Sequence, residues 1–130
     1  MEQAFRTLLQ SSAAVTAIAP ADRINCGAHP QGAGAPYVTI SRPSHREGMT
    51  MTGRDGLMHT RIQCDCYAPT WRQARDLSDA VTNAASGHRS GGVQLVEFAG
   101  SREMGREGGT NEAERLHRFA VDFLVHWRAS

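Results

Sequence analysis

The stretch HTRIQCDCYAPTWRQARDLSDAV, residues 59–81, decides the fold. It begins with a period of two. In an extended chain Ile62, Cys64 and Cys66 point to one side, and Arg61, Gln63, Asp65 and Tyr67 to the other. After Pro69 the period changes. Trp71, Ala74, Leu77, Val81 and Ala84 or Ala85 recur at helical spacing. Pro69 fits at or near the first turn of a helix over 69–86, and Gly87 fits its C-terminal cap. A strand with one apolar side thus runs into a helix with one apolar face. Each needs cover, and a helix lying on the sheet supplies it to both.

This reading also assigns the cysteines. The chain has three, Cys26, Cys64 and Cys66. Cys64 and Cys66 share the apolar side of the strand, where cysteine packs as a small hydrophobe. On one face of a strand their β-carbons stand about 6–7 Å apart, against the roughly 3.8 Å of a disulfide. Zinc needs four ligands, commonly from C-x₂₋₄-C pairs. The chain offers C-x-C, with Cys26 and His29 in a loop and His59 upstream. A catalytic thiol needs a nearby cation or helix N-terminus and a route to substrate, and an inward-facing thiol lacks the route. The expectation is a pair of buried structural thiols, with no metal and no cofactor.

Outward from this core, the chain reads as one domain, 1–130, of α+β class: a mostly antiparallel sheet with helices on one face and long extended loops. Residues 2–10 spell a short helix with Phe5, Leu8 and Leu9 on one face. A second short turn follows Ser12 and stops at Pro20, and DRINC is a short strand. GAHPQGAGAP is a loop by its Gly and Pro density. YVTISR, 37–42, is a strand bracketed by Pro36 and Pro43. Residues 44–58 read as a polar connection, or an extended hairpin with β ends. VQLVEFA, 93–99, is a strand, 100–115 is a long loop or a second hairpin tip, and LHRFAVDFLVHW, 116–127, is a long last strand. In the last strand Phe119, Val121, Phe123, Val125 and Trp127 alternate with Arg118, Ala120, Asp122, Leu124 and His126.

Charge and chemistry narrow the function. Net charge is +1, so nothing favours free-standing nucleic-acid binding. All 14 basic residues are Arg, which suits planar, bidentate contacts between subunits. An odd cysteine count without a secretory signal points to a reducing compartment, and no apolar run reaches membrane-span length. Asp65 and Asp122 both fall on the outward side of their strands, with Arg61 and Arg118 nearby. Cross-strand ion pairing is the expected role there, against a catalytic carboxylate pair, which needs a cleft. The six histidines are scattered, with no H-E-x-x-H, no G-x-S-x-G and no P-loop. The chain is read as a non-enzyme. The two long connections carry more information, since structureless loops of this length are uncommon in a small domain unless functional. Arg46, Met49, Met51, Arg54 and Asp55 in the first, and Arg102, Glu103, Arg106 and Glu107 in the second, are the candidate subunit or tube contacts. Methionine and arginine are both enriched on adaptable interfaces. Solvated loops are the plainer alternative.

The combination of QGAGAPYV, DGLMHTRIQCDCYA and the closing LHRFAVDFLV, after an N-terminal helix and AAVTAI, resembles the small tail-terminator, or tail-completion (minor tail), proteins of long-tailed phages and gene transfer agents. The resemblance covers most of the chain. It implies a structural virion protein, made in the bacterial host cytoplasm, that sits at the head-proximal end of the tail. There it assembles as a hexameric ring, caps the tail tube and stops its polymerisation. Its implied partners are copies of itself, the tail tube protein and the head-completion (stopper) protein. DNA passes through the lumen without sequence-specific binding, and no membrane is involved. In such a ring the sheet of one subunit is extended by its neighbour, or covered by the long loops. Two other readings stay open: a head-tail connector component (stopper or adaptor), and a small cytoplasmic metal protein or enzyme using Cys26, His29, His59 and Cys64.

Overall fold

The computed structural model describes residues 2–27, 35–50, 53–89, 93–107 and 116–128; side chains at 45–50, 53–57, 94 and 105–107 are not described. Two short helices, α1 (Glu2–Gln10) and α2 (Ala13–Thr16), lead through a 3₁₀ turn (Ala21–Arg23) into β1 (Ile24–Cys26). Then come β2 (Tyr37–Thr50), β3 (Gly53–Ala68), α3 (Trp71–Ala85), β4 (Val93–Glu107) and β5 (Leu116–Arg128). The five strands form one sheet in the order β1-β2-β3-β5-β4. Only the short β1 pairs in parallel; the other neighbours are antiparallel. The α+β architecture matches the sequence reading.

The period change at Pro69 is realised as a turn from β3 into α3. Thr70 caps the helix, its hydroxyl accepting from the Gln73 backbone N–H at 3.2 Å. Pro69 therefore lies just ahead of the cap, outside the first turn. At the far end Gly87, at φ +78°, takes the left-handed conformation that lets the chain leave the helix. Its N–H donates to the Val96 carbonyl at 2.8 Å, and the Val96 N–H donates to the His88 carbonyl at 3.1 Å, tying the helix exit to the outer edge of β4.

One face of the sheet takes all the apolar cover. Ile62, Cys64 and Cys66 of β3 and Val121, Phe123 and Val125 of β5 are buried against Leu77, Val81 and Ala85 of α3, and against Phe5, Leu9 and Val15 of the N-terminal helices. Phe123 sits at the centre, its ring 5.3 Å from Phe5 and 6.2 Å from Phe98. Trp71, expected in the buried stripe of α3, is 43% exposed. It occupies the first turn at the rim of the sheet, edge-on to Phe119 at 6.0 Å, and its indole N–H donates to Glu103 at 3.0 Å. The Arg6 guanidinium donates to the Ile24 carbonyl at 2.6 Å and pins α1 over β1.

Two strands outrun their sequence signals. Pro43 does not end β2: the register shifts between Ser41 and Ser44, so Pro43 is absorbed in a bulge, beyond the stretch that β1 pairs. The connection 44–58 is thus mostly strand, with β2 and β3 paired as far as Thr50↔Gly53. Likewise β4 continues from Val93 to Glu107, so of the loop or second hairpin tip expected from residue 100 the first part is strand. Gly100, at φ +138°, and Gly105 mark register shifts after Phe98 and Glu103. Glycines and charges are poor strand formers, but β5 offers a complete ladder and holds this edge strand in place. Most of the expected loop at 27–36, and residues 108–115, lie outside the described residues.

Truncating Phe123 to Ala removes the ring on which Phe5 and Phe98 converge. The expected loss is about 3–5 kcal/mol of folding free energy, read as a shift in the denaturation midpoint at unchanged slope.

Candidate functional site

The face of the sheet opposite the helices carries the polar constellation. The β3–β5 register sets Asp65 opposite Ala120, Gln63 opposite Asp122, and His59 opposite His126. Asp65 accepts from two nitrogens of Arg118, at 2.9 and 3.1 Å, and from the Gln63 amide at 3.0 Å. Arg118 also lies over the Tyr67 ring at 5.8 Å, and Tyr67 stacks on Tyr37 at 4.6 Å. Asp122 accepts from Arg102 at 2.6 Å, with Arg61 at 3.8 Å. The cross-strand ion pairing expected of Asp65 and Asp122 is what the structure shows, with Arg102 as an additional donor.

No helix among the described residues covers this face, yet Asp65 is only 8% exposed and Asp122 3%. The arginines, tyrosines and neighbouring strands screen them. A carboxylate taken out of water must be hydrogen-bonded to stay charged without large cost, and each has a guanidinium in contact. The arrangement is suited to holding strands in register; the carboxylates face cations, not an open cleft.

The apolar face disposes of the cysteine question. Cys64 and Cys66 are fully buried and unbonded, and burial pushes both thiols well above the ordinary cysteine range. Cys26 is partly buried and raised for the same reason, opposed by the Arg6 charge. His59 and Cys64, five positions apart on β3, point to opposite faces, so the set Cys26, His29, His59 and Cys64 does not converge; His29 lies outside the described residues. Among the described residues no group of three or more His, Cys, Asp or Glu is placed to hold a metal ion.

The candidate contact residues divide. Arg46 and Met49 lie on β2, and Arg54 and Asp55 on β3, in the hairpin that continues past Leu57, the residue of β3 paired with Arg128 near the end of β5. Met51 lies outside the described residues. Arg106 and Glu107 stand at the other end of the sheet, at the close of β4 opposite His117 and Leu116. Arg102 and Glu103 are engaged within the subunit, with Asp122 on the polar face and Trp71 on the helical face. The sequence reading missed one pair. His59 and His126 meet ring to ring, Nδ1 to Nδ1 at 2.8 Å. Their outward parity was legible; the register that joins them was not.

Two outcomes check this description. Replacing Arg118 by Met strands the screened Asp65 carboxylate and should cost about 2–3 kcal/mol. Arg102→Met should cost about 1 kcal/mol or less, because Arg102 is half exposed and Arg61 remains beside Asp122. Equal losses in urea unfolding would contradict the difference in screening. With a thiol reagent at pH 8, the folded protein should expose one reactive cysteine, Cys26, and the unfolded protein all three.

Comparison with known proteins adds family and fold. A family model described as "Tail completion protein gp17" matches residues 3–126. A chain of a solved structure described as "Virion of native gene transfer agent (GTA) particle" superposes with TM-score 0.78 at 14% identity, over 99% of this chain and 95% of its own. A second solved chain matches with TM-score 0.57 at 15% identity, over 100% of this chain and 99% of its own. No match is found among curated protein sequences.

Proposed function

Because the chain belongs to the tail completion protein gp17 family, matched over residues 3–126, we propose that this structural tail protein caps the tail tube as an oligomeric ring. In this reading the ring is a hexamer at the head-proximal end of the tail. It ends tube polymerisation and joins the tail to the head-completion proteins, and DNA passes through its lumen unread. The family match carries the reading. The fold likeness to a chain from a gene transfer agent virion is consistent with it. The protein acts by assembly and not by catalysis. Buried thiols and cation-bound carboxylates are groups already committed to holding the fold.

A closed ring repeats one heterologous contact around an axis. The β2–β3 hairpin is the best-placed donor of such contacts. Between Gly53 and Gly56 it continues past the β3 residues that β5 pairs, and its two strands carry Arg46, Met49, Arg54 and Asp55. The end of β4, with Arg106 and Glu107, lies at the opposite end of the strands. One subunit therefore offers contacts at both ends of its sheet, as a ring between a tube and a head connector requires. The mixed charge of the two segments fits protein contacts. A strongly cationic lumen would grip DNA by its phosphates.

Glu47 and Met58 already face each other in register, so replacing 48–57 with an Asn-Gly turn closes a shorter hairpin. The shortened protein should fold, with a melting temperature within a few degrees of the parent, and fail in assembly. Electron microscopy of particles made with the normal gene, without it, and with this variant decides. Overlong, headless tails in the last two support the reading. Tails of normal length that lack heads favour the connector function, and normal tails bearing heads reject both.

A further inference from the structure

The polar face holds a titratable contact that ion pairing does not explain. His59 of β3 and His126 of β5 sit opposite each other, with rings perpendicular at 78° and centroids 5.0 Å apart. Their Nδ1 atoms are 2.8 Å apart, a hydrogen-bond distance. A hydrogen bond between two imidazole nitrogens needs one protonated and one bare. The neutral pair satisfies this, and so does the pair with one added proton. With both rings cationic, each Nδ1 carries a hydrogen and the contact is repulsive.

The pair has charged neighbours on the same face. On β4, Glu97 places a carboxylate oxygen 3.9 Å from His126 Nε2. Arg61 follows His59 by two positions on β3 and lies 3.8 Å from Asp122, and Arg128 follows His126 by two on β5. On β2 the backbone of Arg46 lies opposite His59 in register. The pair also stands at the root of the projecting hairpin, two residues from the Leu57↔Arg128 pairing.

We infer that His59 and His126 form a proton-sensitive latch: the pair binds one proton with its hydrogen bond intact, and the second proton opens the contact at the root of the β2–β3 hairpin. The sign follows from linkage. The unfolded chain takes protons on both imidazoles, while the folded chain resists the second. Between the ordinary imidazole range and the folded pair's second step the unfolded state therefore binds more protons, and stability falls as pH falls through that window. The folding constant falls by up to tenfold per pH unit for the one proton withheld. Mildly acid pH, where imidazoles ordinarily titrate, is where the latch acts.

Nitrogen-15 NMR of the imidazole rings of the wild-type protein tests this directly. The expected result is two macroscopic steps for the pair, separated by more than about one pH unit. A single shared midpoint overturns the inference. His126→Gln removes the ring–ring contact without adding charge. Its folding constant, compared with the parent's between pH 7.5 and 5, should lose up to tenfold per pH unit of acid sensitivity, with the other four histidines as common background. An unchanged pH dependence in that variant also overturns it. Both readouts use purified protein, so a failure here is distinct from any failure in tail assembly.

Discussion

From Leu57 to Ala68 every residue of β3 faces a partner on β5, with no register shift along the way. The neighbouring ladders, β2–β3 and β4–β5, are both interrupted. The unbroken central ladder fixes which side chains share a face. It sends Ile62, Cys64 and Cys66 to the helices together with Phe123, Val121 and Phe119. It sends Asp65, Gln63 and His59 to the polar face together with Ala120, Asp122 and His126. A slip of β5 by one residue would move Phe123 into water and put Asp122 beneath α3. The apolar set alone opposes that slip by about 1.5–3 kcal/mol for each large side chain exposed.

The two faces hold the register by different physics. On the helical side the term is non-directional burial, tolerant of small changes in shape. On the polar side it is directional: a guanidinium meets Asp65 through two nitrogens, and Arg102 reaches Asp122 at 2.6 Å. Exposed ion pairs contribute little, but these carboxylates are screened, and loss of a partner costs more than the pair itself contributes. Burial therefore provides most of the stability, and the polar ladder penalises wrong pairings. The same screening satisfies Asp65 and Asp122 from within one subunit.

How far the sequence reaches follows from these residues. The period change at Pro69, the inward cysteines and the outward aspartates were all legible, because each rests on local alternation. The strand length of β4 was not. Gly100, Gly105 and the charges between them look like loop, and only pairing with β5 makes them strand. Pro43 misled for the same reason, since a bulge beyond the stretch paired by β1 accommodates what an interior strand would reject. Trp71 satisfied the helical stripe but sits at the rim, where the first turn of α3 overhangs Phe119. The pairing of His59 with His126 required the long-range register, which no local pattern encodes.

The edges of the sheet bear on how copies would meet. β4 is an outer strand broken by three register shifts, and two of its residue-96 hydrogen bonds are already given to the helix exit at Gly87 and His88. On the other side β1 pairs only with Val38, Thr39 and Ile40, and the exposed continuation of β2 carries Pro43 and two register shifts. Bulges and proline on outer strands are the devices that prevent a neighbouring strand from adding on. Of the two ways to close the proposed ring, extension of one sheet by the next is therefore the disfavoured one. Contacts through the hairpin and the ends of the strands use backbone that is already paired, and they leave no requirement for two bulged edges to match. They also explain an otherwise odd economy of the chain. The least strand-like sequence, at 44–50, 53–58 and 100–107, is held in strand pairing instead of forming a loop.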